Sequence, residues 1–179
     1  IISNMASVYD DMHKYDSAMY YYRLSLNFCD SLSDAKGKAG AMINMAVVFR
    51  NIGEFETALT YLLDALRIKD SIGDVTGIAN ASHELAETFR LQKKFDLSEK
   101  YLLRADTLAQ KLRNKELQRV VYLTYYKLYK ETGRLGQALE YFEKYDQLNK
   151  EILDEEKINA MEEMRTRFGS VKKERENAQ

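Results

Sequence analysis

A set of large and small side chains recurs every 40 residues, four times along the chain. One column of this repeat is all tyrosine: Tyr21, Tyr61, Tyr101 and Tyr141. A second column is aromatic (Tyr9, Phe49, Phe89 and Tyr129), and a third is small (Ala18, Ala58, Ser98 and Ala138). Self-similarity at a period of about 20–50 residues indicates stacked repeats, each packing mainly on its neighbours. Such a chain is expected to act by presenting a surface.

Each repeat reads as two helices. In the second repeat, one apolar stripe at helical spacing consists of Met42, Met45, Ala46, Phe49 and Ile52, and the next consists of Phe55, Ala58, Leu59, Leu62, Ala65 and Leu66. Gly53, between the stripes, suits the left-handed residue that follows a helix end. The chain has no proline and only eight glycines, which favours nearly continuous helix.

A polar residue stands at the same position of the 40-residue repeat each time a new helix pair begins: Asp34, Asp74 and Asn114. Their side-chain oxygens can accept hydrogen bonds from otherwise unpaired amides at a helix start. We therefore predict first helices near 1–12, 35–51, 75–91 and 115–131, and second helices near 15–32, 55–72, 95–112 and 135–152. The four repeats would span residues 1–34, 35–74, 75–114 and 115–152.

Small residues are expected where the helices cross, because axes about 8–10 Å apart leave little room for side chains. Ala6, Ala46 and Ala86 fill this role on the first helices. The larger residues Tyr15, Phe55, Phe95 and Leu135 are expected to fill the gap to the following repeat. In repeat four, small positions become Tyr126 and Tyr145, which predicts a terminal repeat that packs against something different.

The alternation of large and small residues resembles the tetratricopeptide repeat. In repeat two it is carried by Met45, Ala46, Phe49, Gly53, Phe55, Ala58, Tyr61, Leu62, Ala65 and Leu66. The resemblance implies an all-α fold, a right-handed superhelical solenoid of four helix pairs over residues 1–152. The period of 40 instead of 34, and the missing helix-ending proline, are similar to the long-repeat subtype of bacterial signalling scaffolds.

Residues 153–179 lose the repeat columns. Met161, Met164, Phe168 and Val171 are spaced as a narrow heptad seam among charged residues. Two interpretations stay open: a helix that caps the last repeat, and a linker or dimer seam, with Gly169–Ser170 weakening a long rigid helix. The charged run after Met164 is similar to linkers that follow tetratricopeptide sensor domains.

The composition argues against several kinds of partner. Net charge is −1, from 27 basic and 28 acidic residues, so no global field attracts nucleic acid or an anionic membrane. No stretch approaches the roughly 18 apolar residues of a membrane span, and no basic-then-apolar leader is present. The sequence predicts neither direct nucleic-acid binding nor membrane insertion by this segment, which starts mid-pattern and reads as a fragment.

Catalytic and metal motifs are weak. His83 and Glu87 resemble half of a zinc-protease helix motif, but Glu87 stands where the second histidine is required, so an ordinary side-chain pair is the favoured interpretation. Cys29 is the single cysteine and reads as a small buried hydrophobe. We therefore predict no enzyme activity, no metal and no cofactor.

In tetratricopeptide arrays the first helices line the concave side, and the resemblance places a partner-binding surface there. The predicted residues are Asn44, Val47, Arg50, Glu84, Glu87, Arg90, Thr124, Lys127 and Lys130. Arg50, Arg90 and Lys130 would form a basic ladder able to bind the carboxylates of an acidic partner. The alternative is that these cations pair with Glu84, Glu87 and Glu131 of the chain itself.

Three functional hypotheses follow. The first is a non-catalytic protein- or peptide-binding module, the sensing or scaffolding segment of a larger bacterial signal-transduction or transcription-regulatory protein. The second is an intracellular scaffold without a signalling role. The third is self-association as a homodimer through residues 153–179. The resemblance to sensor proteins implies a periplasmic location, whereas the scaffold hypothesis implies a cytoplasmic one.

Overall fold

The computed structural model describes residues 2–177, with side chains over 4–168, and this part of the chain folds into eight helices and no strand. The helices are α1 (Ile2–Asp11), α2 (Tyr15–Ser31), α3 (Ala35–Asn51), α4 (Phe55–Ser71), α5 (Val75–Leu91), α6 (Phe95–Lys111), α7 (Lys115–Glu131) and α8 (Leu135–Asn177). The all-α repeat fold is therefore confirmed.

Local chemistry sets the helix ends. The side chains of Asp34, Asp74 and Asn114 each accept a hydrogen bond from a backbone amide in the first turn of the next helix, at 2.9, 3.1 and 3.1 Å. At the turn after α3, Gly53 has a φ of 86°, and the amide of Glu54 bonds back to the carbonyl of Phe49 at 2.8 Å. This is the left-handed C-terminal motif that satisfies the last helix carbonyls.

The two aromatic columns meet inside every repeat. Ring centroids lie 5.3 Å apart for Tyr9–Tyr21 and for Phe49–Tyr61, 5.6 Å for Phe89–Tyr101 and 5.5 Å for Tyr129–Tyr141. Aromatic pairs at this separation contribute about 0.5–1.5 kcal/mol beyond the area that they bury. The four tyrosines at the 40-residue spacing thus occupy equivalent surroundings.

Small residues lie at the crossings, as predicted. Ala6, Ala46 and Ala86 on the first helices are fully buried, and so are Ala18, Ala58 and Ser98 on the second helices. Repeat four differs, because the ring of Tyr126 instead packs on Phe142 with centroids 5.3 Å apart.

The helices stack in chain order, and each packs on the one before and the one after it. The first helices also contact one another across repeats (α1 with α3, α3 with α5, and α5 with α7), whereas no two second helices do so among the described residues. Helices that approach more closely lie on the inner side of a curved stack. The first helices therefore line the inner face.

The C-terminal region differs from the prediction of a second helix that ends near 152. Helix α8 continues without a break to Asn177 and passes through Gly169–Ser170, so the expected weak point does not end it. Met161, Met164 and Phe168 are 57, 69 and 76% exposed, so these tail residues do not cap repeat four. The Val171 side chain, the fourth member of the predicted seam, lies outside the described residues.

The turn position of the earlier repeats falls inside α8. In the earlier repeats, the chain leaves the second helix through a left-handed residue: Ser33, Gly73 or Arg113, with φ of 54, 67 and 52°. Leu153 occupies the same phase in repeat four. Leu153 lies inside α8 instead, and the helix continues through this position without a turn.

Candidate partner-binding face

Arg50 and Arg90 project from the last turns of α3 and α5, and both are bound to carboxylates of the chain itself. The guanidinium of Arg50 donates to Glu84 of the next first helix at 2.5 Å. Arg90 donates to Glu87 on its own helix at 2.7 and 2.8 Å and to Glu131 on α7. The two arginines of the predicted ladder therefore form ion pairs that join consecutive first helices, which agrees with the second of the two interpretations for these two residues but not for Lys130.

The environment of these carboxylates keeps them ionised. Burial alone would raise the pKa of Glu84, but hydrogen bonds from His83 and Arg50 and their charges outweigh it and lower the pKa to about 2. Burial also favours a higher pKa for Glu87, but the hydrogen bond and charge of Arg90, together with the charge of Lys127, outweigh it and lower the pKa. Accordingly, the hydrogen bond from Arg90 to Glu87 raises the pKa of Arg90.

Two predicted contact residues lie beneath their neighbours. The Thr124 hydroxyl lies 3.1 Å from Nε2 of His83 and donates to the carbonyl of Val120, and the residue is 3% exposed. Arg90 is 7% exposed. A partner could touch either of them only after this network rearranges, because burial and pairing have used their hydrogen-bonding groups.

The remaining predicted residues are accessible to different degrees. Asn44, Val47, Arg50, Glu84, Glu87 and Lys127 are half-buried, and Lys130 is exposed. The ammonium of Lys127 lies 3.9 Å from Glu87, and that of Lys130 lies 5.7 Å from the ring centre of Tyr126. No carboxylate of residues 4–168 bonds to Lys130. The accessible positive charge of this face is therefore at its C-terminal end.

The structure assigns other partners to the groups considered for metal binding. His83 contacts Thr124 and Glu84, and Glu87 holds Arg90. Among the described residues, no group of three histidine, cysteine or carboxylate side chains is placed to hold a metal ion. Cys29 is half-buried, and its sulfur lies 3.9 Å from Asp34. Over the same residues, no helix is long and apolar enough to cross a bilayer.

A second surface lies at the outer end of repeat four, where the sequence predicted only a terminal repeat that packs against something different. Tyr126, Lys130, Leu135, Ala138, Leu139 and Phe142 line a cavity of about 300 Å³ there. Leu135 was expected to fill the gap to a following repeat; in the described structure nothing covers it and it is 68% exposed. The replacement of a small residue by Tyr126 was the one signal of this different end.

Comparison with known families identifies the repeats in two segments. Residues 41–76 and residues 127–152 each match a sequence profile described as tetratricopeptide repeat. A search of curated proteins gave no significant match.

Several solved structures share the fold. BtubC (BKLC) from P. vanneervenii superposes with a TM-score of 0.71 at 19% identity, over 84% of this chain and 63% of that one. Aspartyl phosphate phosphatase F from Bacillus subtilis superposes with a TM-score of 0.77 at 14% identity, over 86% of this chain and 40% of that one. A Rap protein complexed with Competence and Sporulation Factor superposes with a TM-score of 0.78 at 17% identity, over 86% of this chain and 43% of that one. The chain thus spans between two fifths and two thirds of the length of these structures.

Proposed function

We propose that this chain, which is a tetratricopeptide-repeat protein, is a non-catalytic module that binds a protein or peptide partner along the inner face of its first helices. The repeat fold supports a role in protein interaction. The supporting neighbour is the Rap protein complexed with Competence and Sporulation Factor.

The observation that carries the proposal is the position of the accessible inner-face cations. Arg50 and Arg90 are occupied by carboxylates of the next repeat, whereas Lys127 is partly exposed and Lys130 is exposed. An acidic segment that follows the groove would meet Lys127 and Lys130 first. Its carboxylates would not have to displace a buried ion pair, which is costly because it leaves a charge unpaired.

An array of acidic and basic twelve-residue peptides tests the proposal, with binding measured by fluorescence polarisation. We expect acidic peptides to bind, and the double change Lys127→Glu/Lys130→Glu to weaken them about tenfold or more, since two attractions become repulsions. The matched control is Lys100→Glu/Lys111→Glu, which reverses two exposed lysines on a second helix. Equal loss in both double variants, or no acidic binder, would refute the acidic-partner proposal.

We further propose that the module is the sensing or scaffolding segment of a larger bacterial signalling or transcription-regulatory protein. A signalling role requires two shapes of the solenoid with different affinity for the partner. Small-angle scattering with and without the best-binding peptide would test this, and an unchanged profile would favour a passive scaffold. A sensor would be periplasmic and a scaffold cytoplasmic, which fractionation of the native host would distinguish.

A further inference from the structure

Helix α8 carries an exposed apolar stripe that extends from repeat four into the tail. Its members share one side of the helix at about 100° per residue: Leu135, Leu139, Phe142, Leu153, Met161, Met164 and Phe168. The buried residues Leu148 and Ile152 face a different side, toward the solenoid. Apolar side chains repeated along so long a helix are typical of a surface that another helix covers.

The stripe is close to symmetric about Leu153. Phe142 and Met164 lie eleven residues before and after it, and Leu139 and Phe168 lie fourteen before and fifteen after. Two such helices that run antiparallel and cross near Leu153 would place Phe142 of each copy on Met164 of the other. A two-fold dimer requires a surface that is complementary to itself in this way.

Charged residues on the same side of the helix, between the apolar members of the stripe, favour one direction. Asp146, Lys150, Asp154 and Lys157 alternate in sign there, and each lysine pairs with the aspartate before it within the same copy. A parallel, in-register partner would place each charge beside its own copy. An antiparallel partner centred near Leu153 places Asp146 near Lys157 of the other copy and Lys150 near Asp154. Opposite charges near each other at helix interfaces set orientation more than they add affinity.

The outer end of repeat four offers the place for the incoming helix. At the earlier junctions, the second helix packs against the first helix of the next repeat, which returns antiparallel to it. At repeat four this position is open, beside the cavity lined by Tyr126, Leu139 and Phe142. The tail of the same copy does not reach it, because α8 continues through Leu153 without a turn.

We propose that a second copy of this chain supplies that helix: the protein forms an antiparallel dimer in which each tail packs on the outer end of the partner's repeat four. In this dimer the two copies exchange tails. The helix that would turn back at Leu153 and cover its own repeat four continues straight and covers repeat four of the partner. This inference is argued without the acidic-partner proposal and its tests need no peptide, although Lys130 lines both the inner face and this cavity.

Sedimentation of the full 179-residue chain tests the dimer. We expect a mass of about twice the 20.8 kDa monomer, and a monomer for Met164→Glu, because each copy would then bury a charge without a partner. Ile158→Glu is the matched control: Ile158 is also exposed on the tail but lies off the stripe, so this variant should stay dimeric. A monomeric natural chain, or equal dissociation of both variants, overturns the proposal.

Disulfide trapping tests the direction, in a Cys29→Ser background. Leu139→Cys mixed with Phe168→Cys should give a cross-linked pair under oxidation, whereas neither variant alone should. The reason is that identical positions lie roughly 40 Å apart in the antiparallel dimer, far beyond disulfide reach. Cross-linking of either variant with itself would show a parallel pair and overturn the antiparallel arrangement.

A third variant tests the exchange itself. Leu153→Gly restores a residue that tolerates the left-handed turn, and Arg165→Leu restores an apolar residue in the phase of the buried Met45 and Leu85. The double variant should fold its own tail onto repeat four and become a monomer with unchanged helix content. A dimer that persists in this variant would show that Leu153 is not the hinge.

Discussion

The junction between repeats three and four and the outer end of repeat four use the same positions in different surroundings. Leu102 and Phe142 are 40 residues apart and equivalent in the repeat, yet Leu102 is fully buried whereas Phe142 is 42% exposed. The ion ladder differs as well. Arg90 reaches Glu131 of the next first helix, whereas Lys130 lies over the ring of Tyr126 and forms no ion pair among the described residues. In a solenoid, the following unit decides whether an apolar position is core or surface.

Truncation of the two equivalent residues should measure that difference most directly. We expect Leu102→Ala to lower the free energy of unfolding by about 3 kcal/mol, because it leaves a cavity in a packed core. Leu103→Ala removes the same atoms from an exposed neighbour on the same helix and should cost less than about 0.5 kcal/mol. Phe142→Ala should fall between them at dilutions where the chain is monomeric. Urea titration provides all three values, and equal losses for Leu102 and Phe142 would remove the contrast.

The ion pairs of Arg50 and Arg90 should make the free energy of unfolding depend on pH between about 4.5 and 2. The pKa of Glu84 is about 2 in the folded chain and near its ordinary value of 4.5 when unfolded, so its contribution is present above pH 4.5 and is lost as the pH falls toward 2. We expect Glu84→Gln to lower stability at pH 7 by on the order of 2 kcal/mol and to flatten the pH dependence between 4.5 and 2. Urea titrations at several pH values measure this, and an unchanged slope in the variant would contradict it.

The helix caps should give a smaller contrast between two junctions. Asp34 and Asp74 both cap a first helix, but Asp74 also accepts a hydrogen bond from the buried ammonium of Lys69 at 2.9 Å. Asp34→Ala should cost about 1 kcal/mol, as expected for a lost cap. Asp74→Ala should cost about 1 kcal/mol more, because Lys69 stays buried without its carboxylate. Thermal melts of the two variants compare them, and equal shifts would mean that the Lys69 contact contributes nothing.

Helix positions were predictable because their determinants are local. Caps such as Asp74 and turn residues such as Gly53 act within a few residues of the chain, and the predicted bounds of the first helices agree with the structure. The stacking of Phe89 on Tyr101 also followed from the period, since equivalent residues meet equivalent neighbours.

Side-chain partners across repeats were harder to predict. The sequence left open whether Arg50 is free or paired with a carboxylate of the chain. The spacing of α3 and α5 in the structure brings Arg50 to Glu84. The burial of Thr124 depends on a contact with His83, 41 residues away. The continuation of α8 was not predicted, because Leu153 stands where the earlier repeats have a residue with positive φ and a helix end was expected there.

The unbroken α8 has a mechanical consequence. At 1.5 Å per residue, the 25 residues from Leu153 to Asn177 extend roughly 37 Å beyond the last packed turn. The helix is seated in repeat four through Tyr141, Leu148 and Ile152. A tilt of about 10° at that seat would swing the far end by roughly 6 Å, so the rod would magnify a small change in repeat four into a displacement the size of a side chain.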